Sequence, residues 1–322
     1  MRIKIWYTNF WKTKKQEFEN LFFTQYLKSR YPQHEFVINR WSPDIVFYSV
    51  FNGTLDTNPE FNHAMKVMVV YENLYRKLAE KFKRVYEQAI NSNFNYFILF
   101  DDYVKTPNNA YCIRLPCWYY HNDFYKKENS CCYEFVKKYS KPLCIETLKD
   151  KKSACLIARS DIGNYRQSLL DKFHETLKID CPSHIGRNCE SIESRNMTKH
   201  EFCCEYIFNF CPENSHHRGY VTEKLFDASF ACNIPIYNGC IDHEKSIFNM
   251  NRVIFIDDFK NTESINNAIE KVKYLLENKE ELLKFYNQNI FNETSLLEIQ
   301  KYALTFDNMM DHCMNRVIFS KE

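Results

Sequence analysis

The sequence predicts an α/β protein of two domains, each built on a parallel sheet flanked by helices. The chain has 322 residues, and at roughly 100–200 residues per domain that length divides into two, each able to bury its own core. Short apolar runs of strand type alternate with segments of helical period along the whole chain, which is the order of βα units. A polar, Lys-rich stretch at 122–152 without clear period separates two such series and sets the domain boundary near 150.

Residues 2–8 read as a buried strand, and 14–30 as the helix after it, because Phe18, Leu21, Phe22, Gln25 and Tyr26 recur at helical spacing. Strands are expected at 35–39, 44–50 and 66–71, then a helix at 75–91 and a strand at 96–100 that runs into Asp101 and Asp102. The second series opens with a strand at 153–158 and a helix at 164–177 that carries Leu169, Leu170, Phe173 and Leu177 on one face. A strand at 206–211, a helix at 221–231 and strands at 234–237 and 252–257 follow. Helices at 264–278 and 295–316 finish the chain. The expected division is 1–150, 151–305 and a terminal helix, 306–322, crossing back to the first domain. Two such sheets facing each other open a cleft between their carboxyl ends, where α/β proteins bind ligands.

Composition narrows the function. With 45% hydrophobic, 26% charged and 16% aromatic residues the chain is a folded globular protein. Lys+Arg 43 against Asp+Glu 41 leaves a formal charge of +2, so no global field favours nucleic acid or an anionic membrane. There are five glycines, where average usage would give about 22. Neither G-x-G-x-x-G nor G-x-x-x-x-G-K-[ST] can be written, so a bound phosphate must be held by side-chain cations and a helix N-terminus.

The 14 cysteines are scattered through apolar runs such as 153–157, and no secretory signal is expected. Reduced, core-filling thiols are expected for all of them. No C-x-x-C occurs, and the pairs Cys131-Cys132 and Cys203-Cys204 lack the spacing of a zinc site. No apolar run approaches the 18 or so residues of a membrane span. A cytoplasmic protein is expected, with at most peripheral membrane contact. The sequons at Asn52, Asn196 and Asn292 then read as inert.

Chemistry concentrates in residues 206–239. Leu225, Phe226, Ser229 and Phe230 define a buried helical stripe, which puts Glu223 and Lys224 in the first turn beside a polar loop. A glutamate there complements the helix dipole, whereas a lysine opposes it. Lys224 together with the unpaired N–H groups of the helix start would make a cationic pocket for a diphosphate. The plainer alternative is a solvated lysine paired with Asp227 or Glu223.

The run Phe-x-Pro-Glu-Asn-Ser-x-x-x-x-Tyr-Val-Thr-Glu-Lys-Leu-x-x-Ala at 210–228, followed by Ile-Pro-Ile-Tyr-x-Gly at 234–239, resembles the donor-site signature of the α-1,3/4-fucosyltransferases, glycosyltransferase family 10. Asn9-Phe10-Trp11, Tyr71-Glu72-Asn73, Tyr111-x-x-Arg114-x-Pro116 and Arg166 extend the likeness over most of the chain, which looks most like the short bacterial members. Animal members carry an amino-terminal membrane anchor, and none is expected here. The resemblance implies a GT-B architecture, two Rossmann-like domains with a cleft between them, the first binding the acceptor and the second the nucleotide sugar. It implies inverting transfer of L-fucose from GDP-fucose to a hydroxyl, usually the 3-OH, of an N-acetylglucosamine- or glucose-containing glycan.

Within that resemblance Glu72 matches the general base, at the end of an expected strand, although as a residue before the 75–91 helix it reads equally as a capping acid. Asp101 and Asp102 are the fallback. Arg166 and Lys224 match the phosphate-binding cations, and Asn214, Tyr220, Val221, Thr222 and Glu223 the donor pocket. Asn9 and Trp11 are candidate acceptor contacts, Trp11 as a stacking ring or a core aromatic. The acid pairs 101–102 and 257–258 are adjacent rather than Asp-x-Asp, so no metal or other cofactor is inferred as required. Two positions depart from the pattern: Pro212 precedes Glu213-Asn214 where many members have phenylalanine, and Tyr71 stands where the similar bacterial enzymes have glycine. A same-fold transferase for another nucleotide sugar and a non-catalytic carbohydrate-binding protein remain open as alternatives.

Overall fold

The computed structural model describes residues 1–11, 14–76, 78–102, 105–126, 143–161 and 164–322. The chain forms two compact units, one of residues 1–127 and 299–322 and the other of residues 128–298. The division therefore falls at 127/128, earlier than the boundary near 150 suggested by composition, and residues 299–322 group with the first unit. Residues 127–142 of the polar stretch, with Cys131 and Cys132, lie outside the described residues, as does Gly163.

The first unit is built on strands β1 (Arg2–Thr8), β2 (Glu35–Ile38), β3 (Ile45–Tyr48), β4 (Met65–Val70), β5 (Tyr96–Leu99) and β6 (Tyr111–Arg114). They pair in the order β2-β1-β3-β4-β5-β6, every neighbour parallel. All residues of β3 and β5 are buried, as a parallel strand covered on both faces requires, and neither contains a charged side chain. Because β2 lies on one side of β1 and β3 on the other, the winding reverses between β1 and β3.

The helix expected at 14–30 is two helices, Lys15–Phe18 and Phe22–Arg30. The break at 19–21 lets two sets of aromatics bury at different angles: Phe18 meets Trp6 edge-on at 5.2 Å, while Phe23 stacks on Phe47 at 4.7 Å. Thr24 fixes the corner by donating to the Phe18 carbonyl at 2.7 Å. The helix expected from 75 begins only at Glu80 and runs to Ile90, since Leu78 takes a left-handed φ of 70° just before it.

The last helix, Ser295–Phe319, buries Phe306, Met309, Met310, Cys313 and Val317. Its Asp307 accepts from the Tyr26 hydroxyl at 2.6 Å, Asp311 accepts from Tyr31 at 2.6 Å and Arg30 at 3.0 Å, and His312 bonds Tyr96 at 2.9 Å. Burial and the Asp307 partner hold the Tyr26 phenol well above its ordinary range, so it stays a donor.

The second unit has β7 (Lys152–Cys155), β8 (Ile179–Asp180), β9 (Tyr206–Phe210), β10 (Ile234–Tyr237) and β11 (Ile254–Phe255) in the order β11-β10-β9-β7-β8, again all parallel. The winding reverses here between β7 and β9, so both units are doubly wound, Rossmann-like sheets of one topology. The strand expected at 252–257 shortens to two residues because Met250–Arg252 forms a 3₁₀ turn. The buried Arg252 guanidinium then donates to the carbonyls of Tyr286 at 2.8 Å, Asn233 at 2.7 Å and Cys232 at 2.9 Å.

Several short elements had no expectation: β6, β8, and the helices Cys117–His121, Ile145–Leu148, Lys199–Cys204 and Lys279–Tyr286. One was signalled, since Thr198 and Glu201 form a reciprocal capping box. The described cysteines are all free thiols, but they are not uniformly core: Cys155, Cys181, Cys203, Cys211, Cys232 and Cys313 are buried, whereas Cys144 is exposed. Among the described residues no helix is long and apolar enough to cross a membrane.

Replacing Arg252 with Met keeps the stem and strips three buried carbonyls of their donors. At about 1–3 kcal/mol for each unsatisfied group, urea unfolding is expected to show a loss of at least ~3 kcal/mol; an unchanged midpoint would mean the carbonyls find other donors.

Candidate active site

Parallel strands send their carboxyl ends to one edge, and the crevice beside a winding reversal is the usual ligand position. In the second unit that crevice lies where β7 and β9 run out into Leu156 and Pro212, and it is lined by Arg166, Lys199, Lys224 and Asp227. The two cations expected to hold phosphate, Arg166 and Lys224, thus come together although 57 positions separate them in the sequence.

Arg166 is the second residue of the helix Tyr165–His174 and only 3% exposed. Its Nε donates to the Pro212 carbonyl at 3.2 Å and its Nη1 to the Ser160 carbonyl at 2.9 Å, which clamps the β7 loop to the β9 loop. Its Nη2 is buried without a hydrogen-bond partner among the described residues. Asp161 caps the same helix by accepting from the N–H groups of Arg166 and Gln167, each at 2.8 Å.

The helix expected at 221–231 starts at Lys224 and ends at Phe230, with Glu223 as its N-cap. Lys224 remains in the first turn and pairs with Glu223, one of the two acids expected, but it is largely buried rather than solvated. Its Nζ lies 2.7 Å from Thr222 Oγ1, 3.2 Å from Glu223 and 3.3 Å from Glu213, while Asp227 pairs with Lys199 instead. Nor does the Thr222 N–H stand open for an anion, because it donates to Glu213 Oε1 at 2.8 Å.

Glu213 carries no assigned role in the motif, yet it is wholly buried and organises the loop. Besides the Thr222 N–H it accepts from the Thr222 hydroxyl at 2.7 Å and the Tyr237 hydroxyl at 3.1 Å. Burial, and then the Glu213 charge, hold the Tyr237 phenol well above its ordinary value, so it remains an O–H donor. Gly239 makes this possible: a Cβ there would stand 2.3 Å from the Tyr237 oxygen. Burial and the same carboxylate also raise the thiol of the pocket residue Cys211, which is therefore no nucleophile.

Of the other donor-loop residues, Tyr220 and Val221 are buried, and the half-buried Asn214 accepts from the Ser215 hydroxyl at 3.0 Å. Lys199 and its partner Asp227 line the pocket without having been expected there. The signal for Lys199 was the Thr198 capping box, which places it at a helix start.

In the first unit, Glu72 follows β4 and forms an ion pair with Arg76 at 3.0 Å. It does not cap the next helix, which starts eight residues later. Trp11 follows β1 at the winding reversal, is 52% exposed, and packs edge-on against Tyr71 at 5.7 Å and Phe51 at 5.6 Å. The Trp11–Tyr71 contact brings an open indole next to the residue preceding Glu72. Asn9, in a left-handed conformation at φ 58°, spends its amide internally, donating to Phe51 at 2.7 Å and Thr54 at 2.6 Å and accepting from Asp56 N–H at 3.1 Å. Its geometry therefore shapes the loop that holds Trp11. Asp101 is fully buried, and Asp102 lies 4.0 Å from Arg114. Among the described residues no group of three or more His, Cys, Asp or Glu could hold a metal ion.

The family model described as glycosyltransferase family 10 (fucosyltransferase) C-term matches residues 146–315, more than half of the chain. The chain belongs to glycosyltransferase family 10. The match covers Arg166 and the whole of the 210–239 motif. An alpha-(1,3)-fucosyltransferase of Helicobacter pylori is 29% identical over 231 residues, 65% of this chain and 48% of the relative. The mouse 4-galactosyl-N-acetylglucosaminide 3-alpha-L-fucosyltransferase 9 is 26% identical over 159 residues, 48% of this chain and 42% of the relative. The chain thus spans about half the length of the curated relatives it matches. The crystal structure of an alpha1,3-fucosyltransferase superimposes with TM-score 0.65 at 22% identity, covering 96% of this chain and 90% of that one. Its form with GDP-fucose gives 0.61 at 23% over the same shares. The family 10 chain described here therefore has the fold of those enzymes, the paired Rossmann-like units of the GT-B type.

Arg166→Lys keeps the charge of this family 10 pocket but cannot reach the Ser160 and Pro212 carbonyls together. Thermal unfolding should register a loss of about 1–3 kcal/mol, and a wild-type melting temperature would show that the clamp does not hold the two loops.

Proposed function

We propose that this chain transfers L-fucose from GDP-fucose to a hydroxyl, the 3-OH, of an N-acetylglucosamine- or glucose-containing glycan, with inversion at the anomeric carbon. The observation that carries the proposal is the meeting of Arg166 and Lys224 in one pocket at the carboxyl ends of β7 and β9, in a chain of family 10. The relatives' own names, alpha-(1,3)-fucosyltransferase and 3-alpha-L-fucosyltransferase, support the linkage.

In this scheme the second unit binds the nucleotide sugar. Arg166 brings a fork-shaped donor and Lys224 a point charge to the diphosphate, and they stabilise the negative charge that builds as it leaves. That charge compensation comes from side chains, so the proposal requires no bound metal. Glu223, Asn214 and the 220–222 segment shape the rest of the donor pocket. The first unit binds the acceptor, with the exposed face of Trp11 as a sugar platform. Glu72, after β4 and close in sequence to the Tyr71 ring that Trp11 touches, takes the acceptor's proton as its oxygen attacks. The protein is proposed to work in the cytoplasm.

A panel of nucleotide sugars tests the donor: GDP-fucose turnover should exceed every other, and a different preferred sugar would replace the donor while leaving the fold class intact. Lys224→Ala should weaken GDP about 10- to 100-fold, the equivalent of one charge-assisted contact; unchanged affinity in both this variant and Arg166→Ala would remove the diphosphate from this pocket. Glu72→Gln should lower transfer by about 10²–10⁴ with GDP affinity and melting temperature near wild type. Near-normal transfer in that variant would discard Glu72 and leave Asp102, the more exposed of the fallback acids, as the next candidate.

A further inference from the structure

We infer that Glu213 is a positioning residue for the donor site, acting through Lys224: its buried carboxylate fixes the loop that aims the lysine into the pocket. The inference rests on the donor assignment proposed above and adds a residue to it. Glu213 is 0% exposed, and a carboxylate removed from water must have its lone pairs filled by the protein. Both oxygens are doubly engaged. Oε1 receives the Thr222 N–H and the Tyr237 hydroxyl, and Oε2 the Thr222 hydroxyl and the Lys224 ammonium.

Those donors come from two places. Thr222 and Lys224 belong to the loop and helix start beside the pocket, and Tyr237 to the end of β10 in the floor of the unit. Glu213 is the joint between them. Its own backbone is anchored to the same edge, since its N–H donates to the Asn238 carbonyl at 2.8 Å. Thr222 links the carboxylate to the lysine twice over, because its hydroxyl donates to Glu213 at 2.7 Å while accepting from Lys224 at 2.7 Å. A lysine has four rotatable side-chain bonds, so an unheld ammonium would sample many positions; here its direction is set before any ligand arrives.

Two effects of the carboxylate oppose each other. As a negative charge beside a diphosphate it should repel the ligand, and as the anchor of Lys224 it should favour binding. The number of bonds it organises, three hydrogen bonds besides the ion pair, argues that positioning outweighs repulsion. Glu213→Gln keeps the shape but turns an NH₂ group toward donors, leaving at least one of them unpaired.

Calorimetric titration of GDP into wild type, Glu213→Gln, Lys224→Ala and the double variant tests this. Glu213→Gln is expected to weaken GDP about tenfold, and the double variant to be no weaker than Lys224→Ala alone. Losses that multiply in the double variant would make Glu213 a structural residue independent of the lysine and overturn the inference. Unchanged or tighter GDP binding in Glu213→Gln would also overturn it, by showing that repulsion is the larger effect. If Lys224→Ala itself leaves GDP affinity unchanged, the donor assignment fails, an outcome recognisable without the Glu213 variants. Should Glu213→Gln not fold, Tyr237→Phe removes one of the four donors and is carried through the same cycle, with a loss of about threefold expected and the same outcomes overturning the inference.

Discussion

A carboxylate shut away from water is the constraint around which the second unit's pocket is arranged. Transferring an unpaired carboxylate into a protein interior costs several kcal/mol, so the chain around Glu213 must supply donors or the group must neutralise. The donors come from Thr222, Tyr237 and Lys224, and meeting that demand dictates local structure on three segments. The 220–223 segment cannot be helical up to its start, because the Thr222 N–H and hydroxyl must both turn inward. The end of β10 must present a tyrosine. The residue two places on must be glycine, since any Cβ would collide with that tyrosine's ring. Two motifs separated in the sequence, 210–228 and 234–239, are thereby halves of one hydrogen-bonded unit.

The winding of the sheets decides where such a unit is useful. Each sheet reverses direction between its first and third strands in chain order, β1 and β3 in one unit and β7 and β9 in the other. At a reversal the loops diverge to opposite faces and leave a crevice. Trp11 stands at one crevice, and Arg166 with Lys224 at the other. The same topology has been given an aromatic surface in one case and a cationic pocket in the other.

The parts of this arrangement that could be read in the sequence are those that depend on near neighbours. Ile-Val-Phe-Tyr at 45–48 and Tyr-Ile-Phe-Asn-Phe at 206–210 declare fully buried strands because burial on both faces needs a continuous run. The break at 19–21 could not be read, since the aromatics keep helical spacing across it and only their separate packing partners reveal two helices. β6 was missed because only Ile113 of its four residues is buried, so no apolar alternation marks it. In the site, Lys224 announced itself by its placement at a helix start. Glu213 did not, because the tyrosine that explains it lies 24 residues away. The internal bonds of Asn9 were hidden for a similar reason: the backbone groups that engage its amide are more than 40 residues downstream.

The return of residues 299–322 to the first unit has a kinetic consequence. The second unit is continuous in the sequence, whereas the first is completed only by partners such as Tyr26 and Asp307, 281 residues apart. On a ribosome the inserted unit has all its residues before its host does. Until then the rings that receive Phe306, those of Phe22, Phe23, Tyr26 and Tyr119, lack that partner. Closing that circuit through an unfolded chain carries a loop-closure entropy that grows with the logarithm of its length. Prior folding of the insert shortens the effective loop to a pair of connections, so the order of synthesis favours the assembly of the host.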